Sequence, residues 1–275
     1  MDARVPHVGT YRRELPVSLE RLYENAIDWE HLPYLHRLSF TRIERIDSGD
    51  WGFCARVWTR PYEEQRGFVL ELKLDRDCRR WITRTLEGPG TGTEIWTHAF
   101  SLAERTTLVV VDFFVPGAHG SAIIRLRDYY RRLYAQLYEE DVAMMTVRQT
   151  ELDRVRADLP STTATRVVIG EIAELGGRLP LETGFAGMRF KIIELNGKLL
   201  AFSARCPHLM GPLGEGRIEA GVVECPWHGY RFDIGSGACV SGAACQLAPA
   251  PTVKIDADGQ VVLETTPRQP THRNP

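Results

Sequence analysis

Cys206-Pro207-His208 and Cys225-Pro226-Trp227-His228-Gly229 each bring one thiol and one imidazole into a short turn, with sixteen residues between His208 and Cys225. Two thiolates and two neutral imidazoles match a two-iron, two-sulfur (2Fe-2S) cluster with both cysteines on one iron and both histidines on the other. Imidazoles in place of thiolates remove negative charge and raise the potential above that of an all-cysteine cluster. Zinc knuckles usually repeat one ligand type within each loop, so the alternation speaks against zinc. The prolines and Gly229 stand where such loops must turn.

A second constellation lies far upstream, where Asn25, Asp28, His31 and His36 fall within twelve residues. Asp28 and His31 share a helix face at three-residue spacing. His31 and His36 would diverge on an unbroken helix, but Pro33 between them predicts a bend that lets both rings converge. The third ligand of such a site is expected from a long helix over about 121–157. Its stripe Tyr130, Tyr134, Leu137, Met144, Met145 and Arg148 also carries Asp141. A carboxylate on an apolar face is costly unless it is paired or binds metal. Arg148, seven residues on, offers a pairing. Two histidines and one carboxylate offer the alternative, the facial triad of non-haem Fe(II) enzymes with open positions for dioxygen and substrate. Glu139 and Glu140 are expected to face solvent.

The elements that must position these groups follow from periodicity. A strand near 10–17 leads into a helix that Ser18 can cap, with Leu19, Leu22, Tyr23, Ala26 and Ile27 on its apolar stripe. Strand-like runs follow near 38–46, 51–59, 67–75, 80–87, 93–102 and 107–115, separated by turn signals. Among these, Gly88-Pro89-Gly90-Thr91-Gly92 opens no helix and so predicts a hairpin turn rather than a phosphate loop. Strand, helix, six strands and a long helix predict an α+β fold, with an antiparallel sheet curled around that last helix. This order is similar to the helix-grip (START-like) fold, which encloses an apolar cavity. Trp51, Phe53, Trp96, His98, Phe100, Phe113 and Phe114 stand on strands able to line it. A small all-β domain is expected at 167–266, after a first domain at 1–159 and a turn-rich linker at 160–166. A disordered tail is expected at 267–275.

At 275 residues, two domains are the natural count. A formal charge of −2 argues against nucleic acid or an anionic membrane as partner. The start lacks a signal-peptide core and no apolar run reaches a spanning length, which predicts a cytoplasmic protein. In that reducing compartment Cys54, Cys78, Cys239 and Cys245 are expected to be small core residues rather than disulfides.

With these residues in place, the C-terminal part resembles Rieske ferredoxin-type domains, through both ligand loops and through Phe232-Asp233 and Gly237. The N-terminal part resembles the catalytic domain of Rieske non-haem iron oxygenases. Asn25-x2-Asp28-x2-His31-x4-His36 and the acidic pair Glu140-Asp141 match that family's motifs. The resemblance implies a cluster held by Cys206, His208, Cys225 and His228, and a mononuclear Fe(II) held by His31, His36 and Asp141. It also implies Asn25 beside the iron ligands, and Asp28 as the electron bridge from a cluster histidine of a neighbouring subunit to an iron-binding histidine. O2-dependent oxidation of a hydrophobic small molecule would follow, with monooxygenation or demethylation ahead of dihydroxylation. Electrons would come from an external NAD(P)H-dependent reductase, with or without a ferredoxin, and the assembly would be a homotrimer. Two features depart from the family: the cluster domain comes last instead of first, and the first domain is compact. Phe232, where a hydroxyl-bearing tyrosine is expected, predicts a low cluster potential.

Two other readings use the same residues. A Rieske electron carrier fused to a START-like ligand-binding domain needs no catalytic iron, and iron content separates it from the oxygenase. An acid–base cyclase would use His31 and Asp141 without metal and leave the cluster idle.

Overall fold

A computed structural model describes residues 5–60, 67–157 and 165–265. The linker expected at 160–166 lies mostly outside the described residues, and so does the tail expected at 267–275. The chain divides into two compact units between Gln149 and Thr150.

The first unit is a seven-stranded antiparallel sheet with helices. Its strands are β1 (His7–Leu15), β2 (Phe40–Gly49), β3 (Gly52–Thr59), β4 (Phe68–Asp75), β5 (Arg80–Glu87), β6 (Glu94–Ala103) and β7 (Thr106–Phe114). They lie in the order β1-β7-β6-β5-β4-β3-β2, so β2 to β7 form a meander and β1 closes onto β7. The short links between strands carry turn residues. At the glycine-rich link, Gly88, Gly90 and Gly92 all take positive φ and Thr93 N–H donates to Gly90 O at 2.9 Å, a hairpin turn as the sequence predicts.

The helix α3 (Ser121–Arg156) supplies the second layer. Alternation along β7 buries Thr107, Val109, Val111 and Phe113 completely. Phe113 stacks on Tyr130 of α3 with ring centroids 4.9 Å apart, and Tyr11 of β1 stacks on Tyr138 at 6.0 Å. Tyr134 packs between these contacts, 5.1 Å from Phe113 and 6.1 Å from Tyr138. Burial pushes the Tyr134 and Tyr138 hydroxyls well up, so both stay protonated across the ordinary pH range. The sheet thus grips a helix whose inner stripe is aromatic, the α+β helix-grip arrangement.

Strand alternation corrects part of the expected lining. Thr97 and Ala99 of β6 are buried, so Trp96, His98 and Phe100 point to the opposite face, and Phe100 is 42% exposed. Phe114 joins Trp96 on that outer face, their centroids 5.6 Å apart. Trp51 sits in the β2–β3 turn rather than on a strand. Phe53 and Phe113 are the two of the seven that lie in the core. On β6 the small Thr97 and Ala99 take the buried face, and the larger rings are left on the other.

Among the described residues the second unit holds three small antiparallel sheets. β9 (Leu181–Phe185), β10 (Met188–Leu195) and β11 (Lys198–Ser203) form one; β12 (Arg217–Glu219), β13 (Val222–Glu224) and β14 (Arg231–Asp233) form another. The third pairs β8 (Arg166–Glu171) with β16 (Gln260–Glu264) and β15 (Thr252–Ile255). Arg166, the last residue of the expected linker, is therefore the first residue of β8. Phe190, Ile192 and Leu263 are buried at the centre of this unit. Among the described residues no helix is long and apolar enough to cross a membrane.

Candidate metal centres

The two cysteine–histidine loops share one backbone plan. The first follows β11 and the second links β13 to β14. In each, the cysteine N–H donates to the carbonyl five residues on, Cys206 to Gly211 at 2.9 Å and Cys225 to Tyr230 at 2.8 Å. In each, the N–H four residues on returns to the cysteine carbonyl, from Met210 at 3.0 Å and from Gly229 at 2.9 Å. That fourth residue is left-handed in both loops, with φ of 60° at Met210 and 67° at Gly229. Glycine takes this conformation readily and methionine at a cost, so the turn itself is strongly required at 210.

The loops bring their ligands together. Cys206 and Cys225 are each 1% exposed, and their thiols hydrogen-bond to one another. Cys225 is pushed down by that bond and by His228, while Cys206 is pushed up by the same bond and by burial. A pair that shares one proton is poised to lose it to a metal, since thiolate is the ligand form. The His208 and His228 rings lie 4.5 Å apart at 85°, and the Tyr230 ring stands 4.6 Å from His208. The cradle is tight: a Cβ at Gly211 would come within 2.9 Å of Trp227 and 3.1 Å of the Cys225 sulfur. Two buried thiols and two facing imidazoles fit a mixed-ligand 2Fe-2S cluster.

Residues 165–254 match the protein family described as the Rieske [2Fe-2S] domain. The C-terminal unit is a Rieske domain. Its sequence is 53% identical over 45 residues to pheophorbide a oxygenase of Oryza sativa subsp. japonica, covering 16% of this chain and 8% of that protein. It is 36% identical over 84 residues to methylxanthine N3-demethylase NdmB of Pseudomonas putida, covering 29% of this chain and 22% of that protein. The chain therefore spans less than a quarter of the length of either relative. Among solved structures, the Zhui aromatase/cyclase from Streptomyces sp. R1128 aligns with a TM-score of 0.44 at 16% identity, over 52% of this chain and 94% of its own. In this chain the Rieske domain follows the helix-grip unit, the reverse of the order its resemblance implies.

In the helix-grip unit the upstream constellation is folded as a broken helix. Ser18 caps α1 (Leu19–Ile27) by accepting from Arg21 N–H at 3.3 Å. The helix ends at Asp28, whose φ of −80° and ψ of 81° redirect the chain. One 3-10 turn (Trp29–His31) and the short helix α2 (Leu32–Leu35) follow, and His36 ends α2. The bend expected at Pro33 thus falls at Asp28 instead. Pro33 lies in the first turn of α2, where a missing N–H has no helical acceptor to lose.

That path turns both rings toward α3. Nε2 of His31 and Nε2 of His36 are 3.2 Å apart. Asp141 Oδ1 lies 3.0 Å from His36 Nε2 and 3.5 Å from His31 Nε2. All three residues are buried. Donors held about 2.1 Å from one ion at right angles stand about 3 Å apart, so this triangle fits one face of a metal's coordination shell. Arg148 does not serve as the pairing offered for Asp141, since it reaches Glu24 Oε1 at 3.1 Å.

Each candidate ligand has a second contact. Asn25 Nδ2 donates to Asp141 Oδ1 at 3.1 Å. Asp28 Oδ2 is 3.5 Å from His31 Nδ1, on the ring edge away from the triangle. Glu140 Oε2 meets His36 Nδ1 at 2.6 Å, and its Oε1 accepts from Gln136 Nε2 at 3.2 Å. Burial pulls the His36 imidazolium down, but Asp141 and Glu140 outweigh it and hold it up. Glu140 corrects the expectation that it faces solvent; Glu139 does point away, to Arg13 at 2.6 Å. The available signal for Glu140 is its adjacency to Asp141. Residues one apart on a helix differ by about 100°, so the two carboxylates can meet opposite edges of one inserted ring.

Proposed function

We propose that this protein is a Rieske-type non-haem iron oxygenase in which residues 1–159 form the catalytic domain and 167–266 the electron-donating one. The observation that carries the reading is the buried triangle of His31 Nε2, His36 Nε2 and Asp141 Oδ1. A buried carboxylate is costly unless it is paired or binds metal, and one divalent cation would engage it and both imidazoles together. A cluster that delivers single electrons and an Fe(II) that activates O2 would together supply oxidation.

The chain's own groups take defined parts. Cys206, Cys225, His208 and His228 would hold the cluster, and His31, His36 and Asp141 the mononuclear Fe(II). Asn25 fixes the Asp141 carboxylate through its amide. Glu140 holds Nδ1 of His36, which fixes the tautomer that leaves Nε2 free to bind. Asp28 stands against Nδ1 of His31 and would link that ring to a cluster histidine of a neighbouring copy in a homotrimer. The substrate would be a hydrophobic small molecule. Names such as oxygenase and N3-demethylase among the relatives favour monooxygenation or demethylation over dihydroxylation. The reductant would be an external NAD(P)H-dependent reductase, with or without a ferredoxin.

Counting metal on anaerobically reconstituted protein tests the reading. Three irons per chain are expected, falling to two in His31→Ala or Asp141→Ala with the visible absorbance of the cluster unchanged. Two irons per chain in the unaltered protein would leave an electron carrier with a ligand-binding domain, and the proposal would fail.

A further inference from the structure

Cys239 and Cys245 belong to neither cluster loop, and the expectation that they are buried core residues does not hold: both are partly exposed. After β14 the chain doubles back on itself. Phe232 bridges Cys239, and Ala238 bridges Gln246, each in antiparallel sense. With Ala238 opposite Gln246, Cys239 and Cys245 occupy the next pair of facing positions. Facing residues of an antiparallel pair have Cα atoms about 4.5–5.5 Å apart, within the range of about 4.4–6.8 Å that a disulfide spans. The two thiols already hydrogen-bond to one another.

Their surroundings are unequal. The Cys239 sulfur lies 3.3 Å from the Ser241 hydroxyl and also receives the backbone N–H groups of Ser241 and Ala243. Burial raises its thiol, but these donors outweigh it and the net shift is downward. Cys245 is pushed up, by burial and by the charge of Cys239. The remaining cysteines differ in kind. Cys78 is exposed, but the Asp75 carboxylate beside it pushes its thiol up. Cys54 is pushed up by burial and by Glu71. A stabilised, accessible thiolate beside a second thiol is the arrangement of a redox-active pair.

We propose that Cys239 and Cys245 form a thiol–disulfide couple that reacts with hydroperoxides, Cys239 attacking and Cys245 resolving. The Cys239 thiolate attacks one peroxide oxygen. An S–O bond forms, the O–O bond breaks, and the departing hydroxide takes a proton to become water. The Cys245 sulfur then attacks the Cys239 sulfur. An S–S bond forms, the S–O bond breaks, and the hydroxyl leaves with the Cys245 proton as a second water. The two sulfurs together give up two electrons, and one hydrogen peroxide becomes two waters.

The test uses the full chain with its cluster loaded and hydrogen peroxide as the probe. Trypsin releases residues 232–254 as one peptide that contains Cys239 and Cys245 and no other cysteine. Before oxidation, iodoacetamide should label Cys239 about tenfold faster than the more exposed Cys78 at neutral pH. After one equivalent of peroxide the peptide should resist alkylation and weigh two hydrogens less than its reduced form. In Cys245→Ser, dimedone should trap a sulfenic acid at Cys239; in Cys239→Ser, peroxide should leave Cys245 alkylatable. Labelling of Cys78 ahead of Cys239, or a peptide still doubly alkylated after peroxide, would overturn the proposal. Those two readouts come from the unaltered protein, so they decide even if a variant does not fold.

Discussion

Glu140 Oε2 sits 2.6 Å from Nδ1 of His36, while Nε2 of the same ring lies 3.0 Å from Asp141 Oδ1. Adjacent carboxylates on one helix therefore hold opposite edges of a single imidazole. Loss of such an orienting partner typically costs about 10–100-fold in metal affinity. Glu140→Gln should weaken Fe(II) binding by about that factor, measured by chelator competition on cluster-loaded protein, and Glu140→Asp should recover part of it. The cluster's absorbance should not change. An unaltered iron affinity in Glu140→Gln would mean that the bond contributes nothing to the site.

The sequence makes some of this arrangement legible and hides the rest for physical reasons. Period-two alternation in Phe68–Asp75 and its neighbours announces the sheet, and helical spacing of Tyr130, Tyr134 and Asp141 announces which side of α3 faces inward. The direction of β6 is hidden because both of its faces carry apolar groups. Size suggests that Trp96, His98 and Phe100 are inside, yet the small Thr97 and Ala99 are the buried ones. Glu140 is hidden because its partner comes from residue 36, across a helix break whose position depends on Asp28 rather than Pro33. The cluster loops are legible almost completely, since their ligands, turns and closing bonds all lie within six consecutive residues of each loop.

Asp28 Oδ2 lies 3.5 Å from the edge of His31 that faces away from the ligand triangle. Its carboxylate is thus placed to orient and polarise the ring without occupying a coordination position. Asp28→Asn keeps the size and loses the charge. That variant should keep most of its mononuclear iron and an intact cluster. Reoxidation of the reduced cluster by O2 in a single turnover should slow by at least about tenfold. Rates equal to those of the unaltered protein would remove Asp28 from the electron path.

Gly211 has no room for a side chain, because an added Cβ would meet the Trp227 ring at 2.9 Å and the Cys225 sulfur at 3.1 Å. Its backbone conformation is ordinary, so the constraint is steric. Gly211→Ala should displace Trp227 or the Cys225 loop and lower the cluster content after reconstitution. Iron counting and visible absorbance should both drop, while iron bound at His31, His36 and Asp141 is retained. Full cluster content in this variant would show that the loop yields more easily than its packing suggests.

Phe232 is fully buried in β14, at the place where a hydroxyl donor to the cluster sulfurs is expected. Each hydrogen bond to a cluster sulfur stabilises the reduced state and raises the potential. Without that donor, the potential should fall toward the low end of the Rieske range, near about −150 mV. An EPR-monitored redox titration measures it directly. Phe232→Tyr adds one hydroxyl at nearly constant shape and should move the midpoint upward. The Tyr230 ring lies against His208 rather than occupying that buried place, so Tyr230→Phe should shift the midpoint less. A midpoint in the unaltered protein as high as about +300 mV would mean that other donors already reach the sulfurs and that the buried phenylalanine does not set the potential.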